Sequence, residues 1–183
     1  MSARRAAAVP VWDRAVRVLH WTLAASVALA WISTLWLFDA HQPAGWVALT
    51  AVLLRLAWGL VGGRHARFAR FVRAPGATLD YTRAVLARRE PRYLGHNPLG
   101  AWMVIALLGC VAGLALTGWL YTTDRFWGDE TVEEIHLALA WGLLGLIAVH
   151  VGGVIFTGRR HRENLVRAML DGRKRPPEGD DID

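Results

Sequence analysis

Four stretches of this chain are long and apolar enough to cross a lipid bilayer, and that removes most folds from consideration. They run over about 16–38, 45–62, 99–121 and 135–157, against the roughly 20 residues a helix needs to span the hydrocarbon core. In lipid a backbone has no water to bond, so each apolar stretch must pair its own N–H and C=O groups as a helix. The second stretch is short and carries Arg55, which makes it the weakest of the four. With 54% hydrophobic residues in 183, too little polar surface remains to cover a water-soluble domain of this size. The expectation is an all-α integral membrane protein, a four-transmembrane-helix up-down bundle forming one domain over 1–175.

Charge sets the orientation. Lysine and arginine number four in the N-terminal tail through Arg17, eight in the loop 63–98 and seven after Thr157. The two opposite connections, a tight turn at 39–43 and a loop at 122–134, hold only Arg125 against six acidic residues. The positive-inside rule therefore puts both termini in the cytoplasm. This segregation also argues against nucleic acid as the partner of the +6 net charge, because the basic residues follow loops and not one folded face. Arg4 and Arg5 before an apolar run mimic a secretion signal, but the run exceeds the usual 7–15 residues and ends in tryptophans. Within the long loop, "APGATLDYTRAVLARRE" sets Leu79, Val85 and Leu86 among arginines. It reads either as an amphipathic helix on the anionic inner leaflet or as a solvated connector. The end of the chain, 176–183, is polar and proline-containing and is expected to be disordered.

The segment "EIHLALAWGLLGLIAVH" places His136 and His150 at the ends of thirteen uncharged residues. Fourteen steps of ~100° return the second side chain to within ~40° of the first, about 21 Å further along the axis. One face of the fourth span thus carries an imidazole near each membrane surface. His20 in the first span lies at the depth of His150, and His41 at the start of the second span at the depth of His136. Two pairs at two depths suit two bis-imidazole metal centres in a helix bundle. The expected metal ligands are accordingly His20, His150, His41 and His136.

Further residues fall into the same pattern. Gly45, one turn after His41, leaves room for a flat macrocycle. Gly142 and Gly145 would do the same or serve helix packing. Arg55 shares the His41 face fourteen residues on, where a buried cation needs an anion such as a carboxylate, unless it snorkels to the surface. Arg14 and Arg17 lie within two turns of His20. His96, in "YLGHNPLG", sits level with His20 and His150 as a contact group or an alternative ligand. His65 and His161 lie among arginines and read as surface residues. Trp12, Trp36, Trp46, Trp119 and Trp127 fit an interfacial belt, while Trp21 adjoins His20. One cysteine, Cys110, rules out an intrachain disulfide, cysteine-held clusters and covalent haem.

Taken together, "VWDRAVRVLHW", "HQPAGWVALTAVLLRLAWGLVG", "YLGHNPLGAW", "EIHLALAWGLLGLIAVH" and "RRHRENLVRAMLDGRKR" resemble the prokaryotic cytochrome b561 family, which includes cytochrome b subunits of nickel–iron hydrogenases. The likeness runs from Val11 to about Arg175. It implies a four-helix carrier of the bacterial inner membrane with b-type haem between helices. By position it assigns haem ligation to His20, His41, His136 and His150.

The reading that follows is electron transfer through two b-type haems, with no catalytic residues of the chain's own. The haems would link a periplasmic or membrane redox partner to the quinone pool or a partner oxidoreductase. The acidic loop residues Asp124, Asp129, Glu130, Glu133 and Glu134 would steer a basic partner such as a cytochrome c. A bound quinone would sit near Arg55, His96 and Arg17. Two alternatives stand beside it: a stand-alone superoxide or quinone oxidoreductase of the same fold, and a haem-free transporter or sensor anchor. The second alternative lacks the broken spans and midplane acids it would need. Gly109 and Gly113 permit a close helix contact within the chain or between chains, leaving the oligomeric state open.

Overall fold

The computed structural model describes residues 8–183; Arg4 and Arg5 of the basic N-terminal tail lie outside them. Four long helices dominate: α1 Arg14–Trp36, α2 Phe38–Val61, α5 Pro98–Tyr121 and α6 Glu130–Arg160. Each is long and apolar enough to cross a membrane. The second, weakest in the sequence, is a full 24 residues. It gains length because the expected turn at 39–43 is helical, leaving only Leu37 between α1 and α2. Pro43 lies inside α2 and removes one backbone donor. The helix tolerates it because its would-be acceptor belongs to the exposed Asp39, within reach of water.

Contacts divide the chain into two compact units. One comprises Val18–Ala57 and Val104–Val149, the greater part of all four long helices. Small residues bring its helices together. Ala44, Ala48, Ala51 and Val52 form a buried stripe on α2, and a Cβ on Gly113 would come within 3.2 Å of Leu139 Cδ1 on α6. Gly113 therefore serves an intrachain contact, whereas Gly109 faces open space. Leucines such as Leu35, Leu53, Leu54 and Leu116 are exposed, as residues facing lipid must be.

The second unit comprises 8–17, Trp58–Met103 and His150–Asp183. It adds α3 Phe68–Phe71, α4 Pro75–Leu86 and α7 Leu165–Asp171 to the helix ends. It also departs from a purely helical fold: β1 Val9–Pro10 pairs antiparallel with β2 Arg173–Lys174. Gly172 makes that pairing possible. It ends α7 at φ +82°, and a Cβ there would meet the Trp12 carbonyl at 2.6 Å, so only glycine fits. Val11, Trp12, Val16, Ala66, Leu94 and Ala168 form its core. Asp13 caps α1 through the Val16 N–H at 2.8 Å and accepts from Trp58 Nε1 at 3.0 Å, tying the start of α1 to the end of α2.

The end of the chain does not follow its composition. Residues 176–183, expected to be disordered, fold back on the loop before α5. Ile182 exchanges backbone hydrogen bonds with Arg92 and Leu94, and Tyr93 and Ile182 form a parallel bridge. Arg92 pairs with Glu163 at 2.7 Å and with Asp181, while Arg64 pairs with Asp183 at 2.6 Å. Opposite charges more than sixty residues apart supply an order that no local pattern announces.

Candidate functional site

Among the sequence-expected ligands, the structure brings two together in one unit. The rings of His41 on α2 and His136 on α6 have centroids 6.2 Å apart with planes at 65°. His41 occupies the first turns of α2, not a turn before it, and His136 stands two turns into α6.

Each ring is held from behind. His41 Nδ1 lies 2.9 Å from the Ala30 carbonyl on α1. A carbonyl oxygen only accepts, so Nδ1 carries the hydrogen and Nε2 keeps its lone pair. His136 Nδ1 lies 2.9 Å from the Thr117 hydroxyl on α5. The ring also lies close against Gly118, where a Cβ would stand 3.3 Å from His136 Cε1. Four helices thus fix two imidazoles, α2 and α6 carrying the rings and α1 and α5 anchoring each at Nδ1.

Two metal–nitrogen bonds of ~2.0 Å and two half-rings of ~1.1 Å add up to about 6 Å, close to the centroid separation observed. Two imidazoles alone make a poor home for a bare ion. No cluster of three or more His, Cys, Asp or Glu suited to a metal occurs among the described residues. The pair fits an iron that arrives with four equatorial nitrogens already in place, as in a porphyrin. Gly45 adds to the fit: among the described residues nothing lies within 4 Å of a Cβ built on it, and the same holds at Gly142 and Gly145. Arg55, on the same face of α2, is 6% exposed. It points into protein and not to a membrane surface, against the snorkelling alternative.

The remaining expected residues divide between the two units. His20 belongs to the helical unit, its ring edge-on to Trp21 at 5.2 Å. His150 belongs to the second unit. His96 lies in the second unit in an aromatic setting, 4.6 Å from Trp12 and 4.5 Å from Phe71 between ring centroids. Arg17 donates to the Leu170 carbonyl, and its buried Nε has no hydrogen-bond partner among the described residues. His65 faces Asp183 at 3.4 Å; burial chiefly lowers its pKa, with Asp183 opposing.

The acidic connection keeps its charge outside. Asp124, Glu130, Glu133 and Glu134 are exposed, whereas Asp129 is spent capping α6 through the Val132 N–H at 2.9 Å. Sequence reasoning missed Ala30, Thr117 and Gly118. A carbonyl has no side-chain signature, and a threonine in a span most often bonds its own helix.

The profile of the family described as prokaryotic cytochrome b561 matches residues 11–172. Among curated relatives, a protein of Rhodobacter capsulatus named probable Ni/Fe-hydrogenase B-type cytochrome subunit is 23% identical, over 94% of this chain and 84% of its own length. One of the same name from Azotobacter vinelandii is 26% identical, over 92% and 89%. A third, from Bradyrhizobium diazoefficiens, is 23% identical over 91% and 85%.

Proposed function

Because the chain belongs to the prokaryotic cytochrome b561 family, and is thus a b-type cytochrome of membrane electron transfer, we propose that it works through two bis-histidine haems. They would connect the quinone pool with a partner oxidoreductase in the bacterial inner membrane, with both termini cytoplasmic. The observation that carries this reading is the His41–His136 pair, with centroids 6.2 Å apart and each ring anchored at Nδ1.

A b-type haem bound there would supply a one-electron iron couple tuned by its ligands and surroundings. His41 and His136 would hold the iron, and a ligand set completed by two imidazoles would favour electron transfer over chemistry at an open position. Ala30 and Thr117 set the direction of the two lone pairs. Arg55 offers a buried guanidinium to a carboxylate brought into the bundle, an arrangement suited to a porphyrin side chain.

The second pair, His20 and His150, rests on sequence spacing and on no distance in the structure. Quinone contact is proposed for Arg55, His96 and Arg17, the polar groups expected beside the His20–His150 pair. The relatives are named as hydrogenase cytochrome subunits, which supports a membrane-bound oxidoreductase as partner. A basic electron carrier such as a cytochrome c would meet the exposed carboxylates of the acidic loop.

Reduced-minus-oxidised spectra of His136→Ala and His150→Ala in mild detergent test the reading. Each variant should lose about half of the haem signal and keep the other half. Full haem retention in both variants would remove the assigned ligands.

A further inference from the structure

Thr117 lies within 9% of full burial on α5, and its one hydroxyl faces three neighbours. It stands 2.9 Å from the Gly113 carbonyl, 3.2 Å from the Leu114 carbonyl and 2.9 Å from His136 Nδ1. A hydroxyl has one hydrogen and two lone pairs. The two carbonyls accept only; with the hydrogen given to one of them, a lone pair is left toward the ring. In that arrangement His136 Nδ1–H donates to Thr117, and Nε2 is left unprotonated.

Resting on the haem reading above, we infer that Thr117 is a positioning residue. It fixes His136 in the tautomer that can ligate iron and raises the basicity of that ligand. An acceptor behind a metal-bound imidazole increases electron density at the ligating nitrogen. More density favours the oxidised iron and lowers the reduction potential of that centre alone. The partner ring is held by the Ala30 carbonyl, which no side-chain substitution removes. Among the described residues, Thr117 is therefore the side chain behind a ligand of this pair whose polar support can be altered while both ligands stay. The Leu114 carbonyl, which lies 3.2 Å from the same hydroxyl, is the competing anchor for the ring, and the experiment decides between them.

The test is a spectroelectrochemical titration of the detergent-purified, haem-loaded protein as wild type, Thr117→Val and Thr117→Ser. Valine keeps the shape and removes the acceptor. The expected result is an unchanged haem content and one midpoint moved upward, the other staying in place. The reduction equilibrium of that centre should change by up to about tenfold, ~59 mV for one electron. Serine, which restores the hydroxyl, should return the native midpoint. If valine instead expels the haem, serine decides. A native serine variant supports the hydroxyl's role, and one as defective as valine overturns it in favour of methyl packing.

Unmoved midpoints in a fully loaded Thr117→Val overturn the inference and leave the Leu114 carbonyl as the anchor. Failure of the underlying haem reading looks different: the wild type would then show no centre that His136→Ala abolishes.

Discussion

His41 and His136, 95 residues apart in the chain, present their imidazoles to one another at 6.2 Å, and the nitrogen that each turns away is bonded to a different helix. Neither anchor lies on the helix that carries the ring: Ala30 belongs to α1 and Thr117 to α5. The pair is consequently a product of the bundle and not of either helix alone. A site fixed from four helices loses little conformational freedom when it binds, which favours a prosthetic group held for the life of the protein.

The close fit of His136 against α5 yields the first prediction. In Gly118→Ala the new methyl carbon stands 3.3 Å from His136 Cε1, so the ring must give by a few tenths of an ångström. The variant should fold and retain both haems while the low-spin electron paramagnetic resonance signal of one centre shifts. An unchanged pair of signals would mean that His136 does not depend on this contact.

Arg92 leads to the second. It is 5% exposed and serves Glu163, Asp181 and the carbonyls of Arg175 and Pro176. Removing one partner of a buried ion pair costs about 3–5 kcal/mol, because the other charges stay behind unpaired. Arg92→Ala should lower the unfolding midpoint of the protein and expose 176–183 to protease. Native resistance of that segment would show that the backbone bridge at Tyr93 and Ile182 suffices.

Acid should have a related effect. Burial works against ionisation of Glu163, but the Arg92 hydrogen bond and the Lys174 charge outweigh it and hold its carboxyl below the usual range. Burial likewise opposes Asp181, and the Glu178 N–H and Arg92 reverse it. Folded-state values below the unfolded ones mean stability that is complete above the ordinary carboxylate range. It is lost as pH falls through the lowered values, below about pH 4. Hydrogen exchange at Leu94 and Ile182 should accelerate there and stay flat between neutral pH and pH 5. Acceleration already at pH 6 would point to a histidine, with His65 beside Asp183 the first to test.

Helix α4 forms where the loop's leucines suggested an amphipathic segment, and its faces follow one another in an informative order. At ~100° per residue, buried Tyr81 and half-buried Val85 come first. Thr78 is next, accepting from the Trp102 indole of the first turns of α5 at 3.2 Å. Exposed Leu79 and Leu86 follow, then Arg83. The leucine stripe thus adjoins the side bonded to a membrane span, with a cation beyond it, as an in-plane lipid anchor requires. Spin labels on Leu79→Cys and Leu86→Cys, in a Cys110→Ser background in anionic nanodiscs, should be shielded from a water-soluble relaxation agent. A label as accessible as one on Asp80→Cys would make α4 a solvated connector.

For the acidic loop, Asp124→Asn, Glu130→Gln and Glu134→Gln together should flatten the ionic-strength dependence of reduction by a basic partner. Glu133 is kept because it accepts from the Tyr121 hydroxyl at 3.3 Å. An unaltered salt profile would move the docking surface elsewhere.

The sequence carried the four spans because lipid leaves a backbone no alternative to helix. It carried the His41–His136 pairing because depth along a span follows from residue number. The 39–43 connection was illegible for the opposite reason. Asp39 and Pro43 are turn formers in water, yet the same residues join α2 once its backbone must be paired. Residues 176–183 misled in another way: their charges look solvated until Arg92 and Arg64 are brought beside them by the fold. Thr117 carried no signal at all, since Thr34 and Thr50 make the same bonds to their own helices without facing a histidine.

The most direct test of the account is haem stoichiometry per polypeptide, measured as the pyridine haemochrome of protein purified in mild detergent. Two b-type haems per chain is the result it predicts, with His41–His136 and His20–His150 each holding one iron. A single haem that survives His41→Ala and His136→Ala would contradict it, leaving the best-formed pair in the structure without the role assigned to it.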